Sequence, residues 1–213
     1  MQFLSALASI TLLVSFPLTL HAQNVPNDYI IKEYTDPSKP YLQVLDAKAK
    51  VAYTFEKAYN FPSQFKNTVT IADPSLKPIF SMVSSDDQCR LKTHYAQLGG
   101  PAAKDNLPKR EYKYDNSRAF GKILWRFNFY SDGAGAREYY KFERNRTNKG
   151  GRIYKVAAGQ PSQLVGLLRF QVRRDNWVGP DTVNGIKTFT LSCIDGAPLP
   201  ELVTLLGMVF YRC

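Results

Sequence analysis

The chain has 213 residues, 44% of them hydrophobic and 22% charged, with a formal net charge of +10. That mixture excludes wholesale disorder, and the length fits one domain or two small ones. The charge favours acidic partners such as phospholipid headgroups, acidic glycans or nucleic acid, although the basic residues are scattered and a merely solubilising role stays open.

Residues 1–22 read as a secretory signal peptide. Leu4 to Leu20 is an apolar run, and His21-Ala22-Gln23 offers a small-residue cleavage site. The rival is an N-terminal membrane anchor, but the run is short for a full span and Pro17 breaks it. The mature chain, 23–213, is then a secreted, extracellular single domain. Period-2 alternation dominates it, and its 13 Tyr and 13 Phe favour strands. Strands are predicted at 28–34, 41–45, 51–56, 65–71, 78–83 and 89–95, with turns at Asp36-Pro37, Asp46-Ala47 and Asp73-Pro74. A Gly/Pro-rich break follows at 99–110. Within it Lys109-Arg110 reads as an exposed dibasic pair, with proteolytic processing as the alternative. Strands resume at 111–114, 122–130, 137–142, 152–157, 163–172 and 186–193.

The last segment, Leu199 to Tyr211, is apolar on every side, interrupted only by Pro200, Glu201, Thr204 and Gly207. A surface helix would show a polar face. About a dozen strands expose two edges unless the sheet closes, and a closed barrel of that size holds more than side chains. The fold expected is therefore mainly β: a roughly 12-stranded closed barrel enclosing a hydrophobic C-terminal helix near 199–211. A lipid-anchor attachment signal and a helix packed on one sheet face are the other readings of this segment.

The residues also carry a family resemblance. Tyr41-Leu42-Gln43-Val44-Leu45-Asp46 followed by Val51-Ala52-Tyr53-Thr54-Phe55, the stretch Thr68 to Ile79, and Asp132-Gly133 through Arg137-Glu138-Tyr139-Tyr140-Lys141-Phe142 together resemble the tubby C-terminal-like superfamily, in its LURP-one-related and fungal tubby-like branches. Leu199 to Tyr211 resembles the central helix of such domains. The resemblance implies a 12-stranded barrel around that helix. It also implies phosphoinositide binding in some members, scramblase likeness in others and a defence role in plants. The phosphoinositide-binding residues of the tubby proteins find no residue-by-residue match in this chain, and the secretion signal departs from the mostly intracellular relatives.

The chemistry visible in the residues is sparse. The mature chain has one histidine, His94, and no GxSxG, HExxH or P-loop. Carboxylates such as Glu138, Glu143 and Asp132 are not singled out by spacing as a hydrolytic pair. No cofactor or metal motif is present. The disulfide candidates are Cys89, Cys193 and Cys213. Cys193 and Cys213 flank a helix about 20 Å long, beyond bridging distance, so Cys89 with either of them is the expected pair if one forms. Asn145-Arg146-Thr147 is a glycosylation sequon, with Asn145 the acceptor. The candidate anion-binding residues are Arg137, Lys141, Arg144, Arg146, Lys149 and Arg152, around a loop that Gly150-Gly151 should make mobile. Arg169, Arg173 and Arg174 form a second group. The function expected is that of a secreted, monomeric, non-enzymatic interaction protein of fungal effector type, with a protein partner. An anionic phospholipid or phosphoinositide binder is the alternative, and a hydrolase with an unrecognised carboxylate site the third reading. Nucleic acid is not expected as the partner.

Overall fold

The computed structural model describes residues 28–34, 36–59, 66–85, 87, 92–98, 105–115, 124–147, 149–179 and 183–211. The predicted signal peptide lies outside them. Twelve strands and one helix follow in order: β1 Asp28–Lys32, β2 Tyr41–Leu45, β3 Val51–Tyr59, β4 Asn67–Ala72, β5 Pro78–Ser84, β6 Thr93–Gln97, β7 Arg110–Asp115, β8 Leu124–Ser131, β9 Ala136–Arg144, β10 Gly150–Val156, β11 Gln163–Arg173, β12 Ile186–Cys193 and α1 Leu199–Tyr211. Each strand pairs antiparallel with its sequence neighbours, and β1 pairs with β12 to close the barrel. An even number of strands lets an up-and-down meander close antiparallel with no free edge.

Alternation along the strands builds the interior. Phe55, Val69, Ile71, Met82, Tyr112, Phe127, Phe142, Ile153 and Leu191 are all buried in one cluster. Tyr112, Phe127 and Tyr140 occupy one register row on β7, β8 and β9, and their rings stack at 5.0 Å per step. This row is the inward face of strands whose intervening residues point outward.

Helix α1 fills the barrel. Its 13 residues span about 20 Å, and Glu201 to Val209 are buried without interruption. Burial on all sides requires a partner for every polar group. Arg110 Nε donates to Glu201 Oε1 at 2.7 Å, Tyr112 Oη donates to the Glu201 carbonyl at 2.8 Å, and Thr204 Oγ1 donates to the Pro200 carbonyl at 2.7 Å. At the other end Tyr211 Oη donates to the Lys32 carbonyl at 3.1 Å. The last turn holds no basic residue of its own. Arg144 of β9 supplies one, donating from Nη2 to the Val209 carbonyl at 3.3 Å, where the helix dipole is negative. Gly207 lies against the Phe55 ring, and a Cβ there would meet Phe55 Cδ2 at 2.3 Å.

Two sequence expectations change here. Arg110 is not an exposed half of a dibasic pair. It reaches the core to neutralise Glu201, donates from Nη1 to Gln97 Oε1 at 3.0 Å and lies 4.3 Å over the Phe80 ring. Its neighbour Lys109 pairs with Asp132 at 2.6 Å. Gly150 and Gly151 are buried in β10, and the strands approach so closely there that only glycine fits. A Cβ on Gly150 would stand 2.0 Å from the Leu168 carbonyl oxygen, and one on Gly151 would stand 2.2 Å from that of Glu143. The glycines hold strands together rather than loosen a loop.

A second buried polar group sits on the inner face between β3, β4 and β6. Asp87 accepts from Asn67 Nδ2 at 2.8 Å and from Tyr95 Oη, and pairs with Lys57 Nζ at 2.8 Å. Burial alone would raise its carboxyl, but the hydrogen bonds from Lys57, Tyr95 and Asn67 hold it below the ordinary carboxylate value.

Candidate functional site

The β9–β10 hairpin carries most of the basic candidates, and strand alternation sorts them. Tyr140, Phe142 and Arg144 share the inner face of β9, while Arg137, Tyr139, Lys141 and Glu143 share the outer one. Across the hairpin Glu143 faces Arg152 and Lys141 faces Tyr154. The turn closes through Asn145 N donating to the Gly150 carbonyl at 2.8 Å, and Phe170 N donating to the Lys149 carbonyl at 2.6 Å ties it to β11.

A cavity of about 630 Å³ opens at this hairpin and β11. Four arginines line it: Arg144, Arg146, Arg152 and Arg169. Tyr154, Leu164, Leu167 and Leu168 give it an apolar side, and Glu143 is its one carboxylate. Glu143 already pairs with Lys141 at 3.0 Å. No ion pair engages Arg146, Arg152 or Arg169 among the described residues. Arg144 is partly buried, and burial pulls its guanidinium below the ordinary arginine value. Beyond the helix carbonyl it has no hydrogen-bond or ion-pair partner among the described residues, and its buried Nε makes no hydrogen bond.

The cleft therefore gathers Arg144, Arg146 and Arg152 from the predicted cluster. Lys141 points outward beside it, held by Glu143 and 5.2 Å over the Tyr154 ring. Lys149 is exposed on the turn and outside the lining. Arg137 leaves the cluster altogether. Its side chain is 5% exposed, donates to Asp105 through Nε and Nη2 at 2.5 and 2.9 Å, and also donates to Asn128 Oδ1 and the Pro108 carbonyl. Hydrogen bonding by Arg137 lowers the Asp105 carboxyl to about 2. Arg137 fastens the 105–108 segment to the barrel and cannot serve an external anion. Arg173, of the second basic group, is consumed in the same way by Asp28 and Asp175. Arg169, the other member that matters, enters the cleft because β10 and β11 place Gly150 opposite it.

The remaining candidates lie apart. Asn145 is exposed at the rim, and Thr147 Oγ1 donates to its Oδ1 at 3.0 Å. A glycan there would stand over the cleft. Cys193 is buried on β12, and burial pushes its thiol up to about 11. Cys89 and Cys213 lie outside the described residues. His94 Nε2 stands 3.3 Å from Glu111 Oε1 on the outer face of β6 and β7. A smaller cavity of about 170 Å³ near Lys32, Tyr34 and Tyr41 also contains Lys39, already paired with Asp36 at 3.6 Å.

No protein-family model, no curated protein and no solved structure matches this chain.

Proposed function

We propose that this protein works by binding rather than by catalysis, as a secreted recognition protein that takes an anionic group of its partner in the β9–β10–β11 cleft. One observation carries the reading. Among the described residues, Arg144 holds a partly buried guanidinium with no carboxylate partner, beside a cavity lined by three more arginines that no acid engages. A buried charge is ordinarily paired, and an arriving phosphate, sulfate or carboxylate would pair this one. The apolar side of the cleft, with Tyr154 and Leu164, suits the body that bears the anion. The anion can come from a phospholipid headgroup or from an acidic group of a protein or glycan, and the arms of the test separate these sources. Membership of the tubby-like superfamily belongs to the same proposal, supported by a twelve-stranded barrel closed around its C-terminal helix.

The test compares the purified protein with an Arg152→Gln/Arg169→Gln variant. Each is titrated with inositol trisphosphate and with a sulfated monosaccharide, and sedimented with phosphoinositide vesicles and charge-matched phosphatidylserine vesicles. Binding of at least one probe, weakened tenfold or more by the variant, is expected. Binding that is absent throughout, or equal in the variant, would overturn the proposal.

A further inference from the structure

The barrel register aligns basic side chains that are scattered in the sequence. On the outer face, His94 of β6 lies opposite Lys113 of β7, Lys113 opposite Arg126 of β8, and Arg126 opposite Lys141 of β9. Lys141 in turn lies opposite Tyr154, which lines the arginine cleft. The three cations occupy a single register row that runs round the barrel and meets the cleft at Tyr154; Arg152 stands two residues along β10 on the same face, and Arg169, opposite Gly150, lies beyond it on β11. Strands stand about 4.8 Å apart and residues about 3.3 Å apart along a strand, so the path from Lys113 on β7 to Arg169 on β11, four strands over and five residues off the row, covers about 25 Å.

Two cations of this row have acidic neighbours. Lys113 is 3.8 Å from Glu111, and Lys141 is 3.0 Å from Glu143. Both lysines keep contact with water, at 58% side-chain exposure for Lys113 and 31% for Lys141, and pairs open to solvent in this way yield to a multivalent competitor. Arg126 is exposed and has no ion pair among the described residues.

We infer that the cleft and this row form one track for a linear polyanionic saccharide bearing sulfate or carboxylate groups. The inference rests on the anion-binding reading of the cleft and names its ligand class. Shape selects the saccharide. The path crosses four of the twelve steps between strands, a third of the girth, and a flat membrane tangent to its middle would leave both ends behind. A flexible chain can follow it. Binding single-stranded nucleic acid in this mode needs successive exposed rings for base stacking. Among the described residues beside the row only Tyr139 offers one, at 51% exposure, while Tyr154 is covered by Lys141. Anions repeating along a sugar chain match cations repeating from strand to strand, so each further saccharide adds a contact at high effective concentration.

The experiment measures affinity for sulfated oligosaccharides of increasing length and for oligogalacturonates, whose charges are carboxylates. Wild type is compared with Lys113→Gln/Arg126→Gln/Lys141→Gln and with Lys48→Gln/Lys50→Gln/Lys77→Gln, an exposed triple of the same net charge on the turns after β2 and β4. In at least one series, wild-type affinity should rise tenfold or more until the chain spans about 25 Å. The row variant should lose that rise and keep its affinity for the shortest unit. The control triple should change both by less than twofold. If length adds nothing, or if the two triples behave alike, the track is refuted while the cleft's binding of the shortest unit stands. If no length binds, the saccharide track fails, and the cleft reading stands or falls with the phosphate and vesicle arms of its own test. Anionic vesicles or single-stranded DNA of matched charge that bind as tightly and depend equally on the row would overturn the saccharide assignment.

Discussion

Gly207→Ala tests whether the helix is clamped in the barrel. An alanine in a helix interior ordinarily stabilises by about 1 kcal/mol over glycine. Here the added Cβ would lie 2.3, 2.4 and 2.6 Å from Cδ2, Cε2 and Cγ of Phe55, where carbon contacts ordinarily sit at about 3.5–4.0 Å. An overlap above 1 Å must be relieved by moving a ring that is 1% exposed in a close-packed interior. Overpacking of this kind costs about 1–3 kcal/mol, and the depth of the overlap puts it at the upper end. After the propensity gain the net loss is about 2 kcal/mol, which for a chain of this size lowers Tm by about 4–8 °C. Thermal and urea unfolding read the effect. In a Phe55→Leu background the ring is gone, and the same substitution should stabilise by about 1 kcal/mol, its helix propensity alone. A rise in Tm from Gly207→Ala in the wild-type background would show that α1 is not held against β3.

Three more predictions follow from the buried charges and the thiol. Arg110→Met leaves Glu201 charged and unpaired inside the barrel and should cost about 3–5 kcal/mol by urea unfolding; adding Glu201→Gln should recover most of it. Asp87 has its folded pKa below the unfolded value, so it contributes stability above about pH 4 that is lost as pH falls through the folded value. Stability measured from pH 6 to pH 2 should therefore fall less steeply in Asp87→Asn than in wild type, and parallel curves would remove Asp87 as the cause. Native Cys193 should react with an alkylating reagent at pH 8 far more slowly than it does in denaturant, because burial both hides the thiol and raises it to about 11. Equal rates would show that β12 opens.

The barrel was legible because alternation is a local property. The strand at 41–45, the strand at 186–193 and the helix at 199–211 stand at the bounds that their residues suggest, and a helix apolar on all sides implies an enclosure. The site was legible only in part. Arg144 shares a face with Tyr140 and Phe142, so the alternation of Tyr140-Lys141-Phe142-Glu143-Arg144 already points its side chain inward, beneath the outward Lys141 and Glu143. Arg137 could not be assigned in this way, because its partner Asp105 lies 32 residues away across the break. Glu201 looked like an interruption in an apolar segment, and its partner Arg110 is 91 residues distant. Arg169 and Arg126 join the basic surface through strand register, which depends on how the barrel closes rather than on any short run of sequence.

The central claim, that the β9–β10–β11 cleft holds an anion, is tested most directly by mapping backbone amide shifts of the isotopically labelled protein during titration with pyrophosphate. Saturable shifts concentrated at 144–152 and 164–169 are predicted, and they should vanish in Arg152→Gln/Arg169→Gln. Shifts centred on Lys32 to Leu45, or none that saturate, would contradict it.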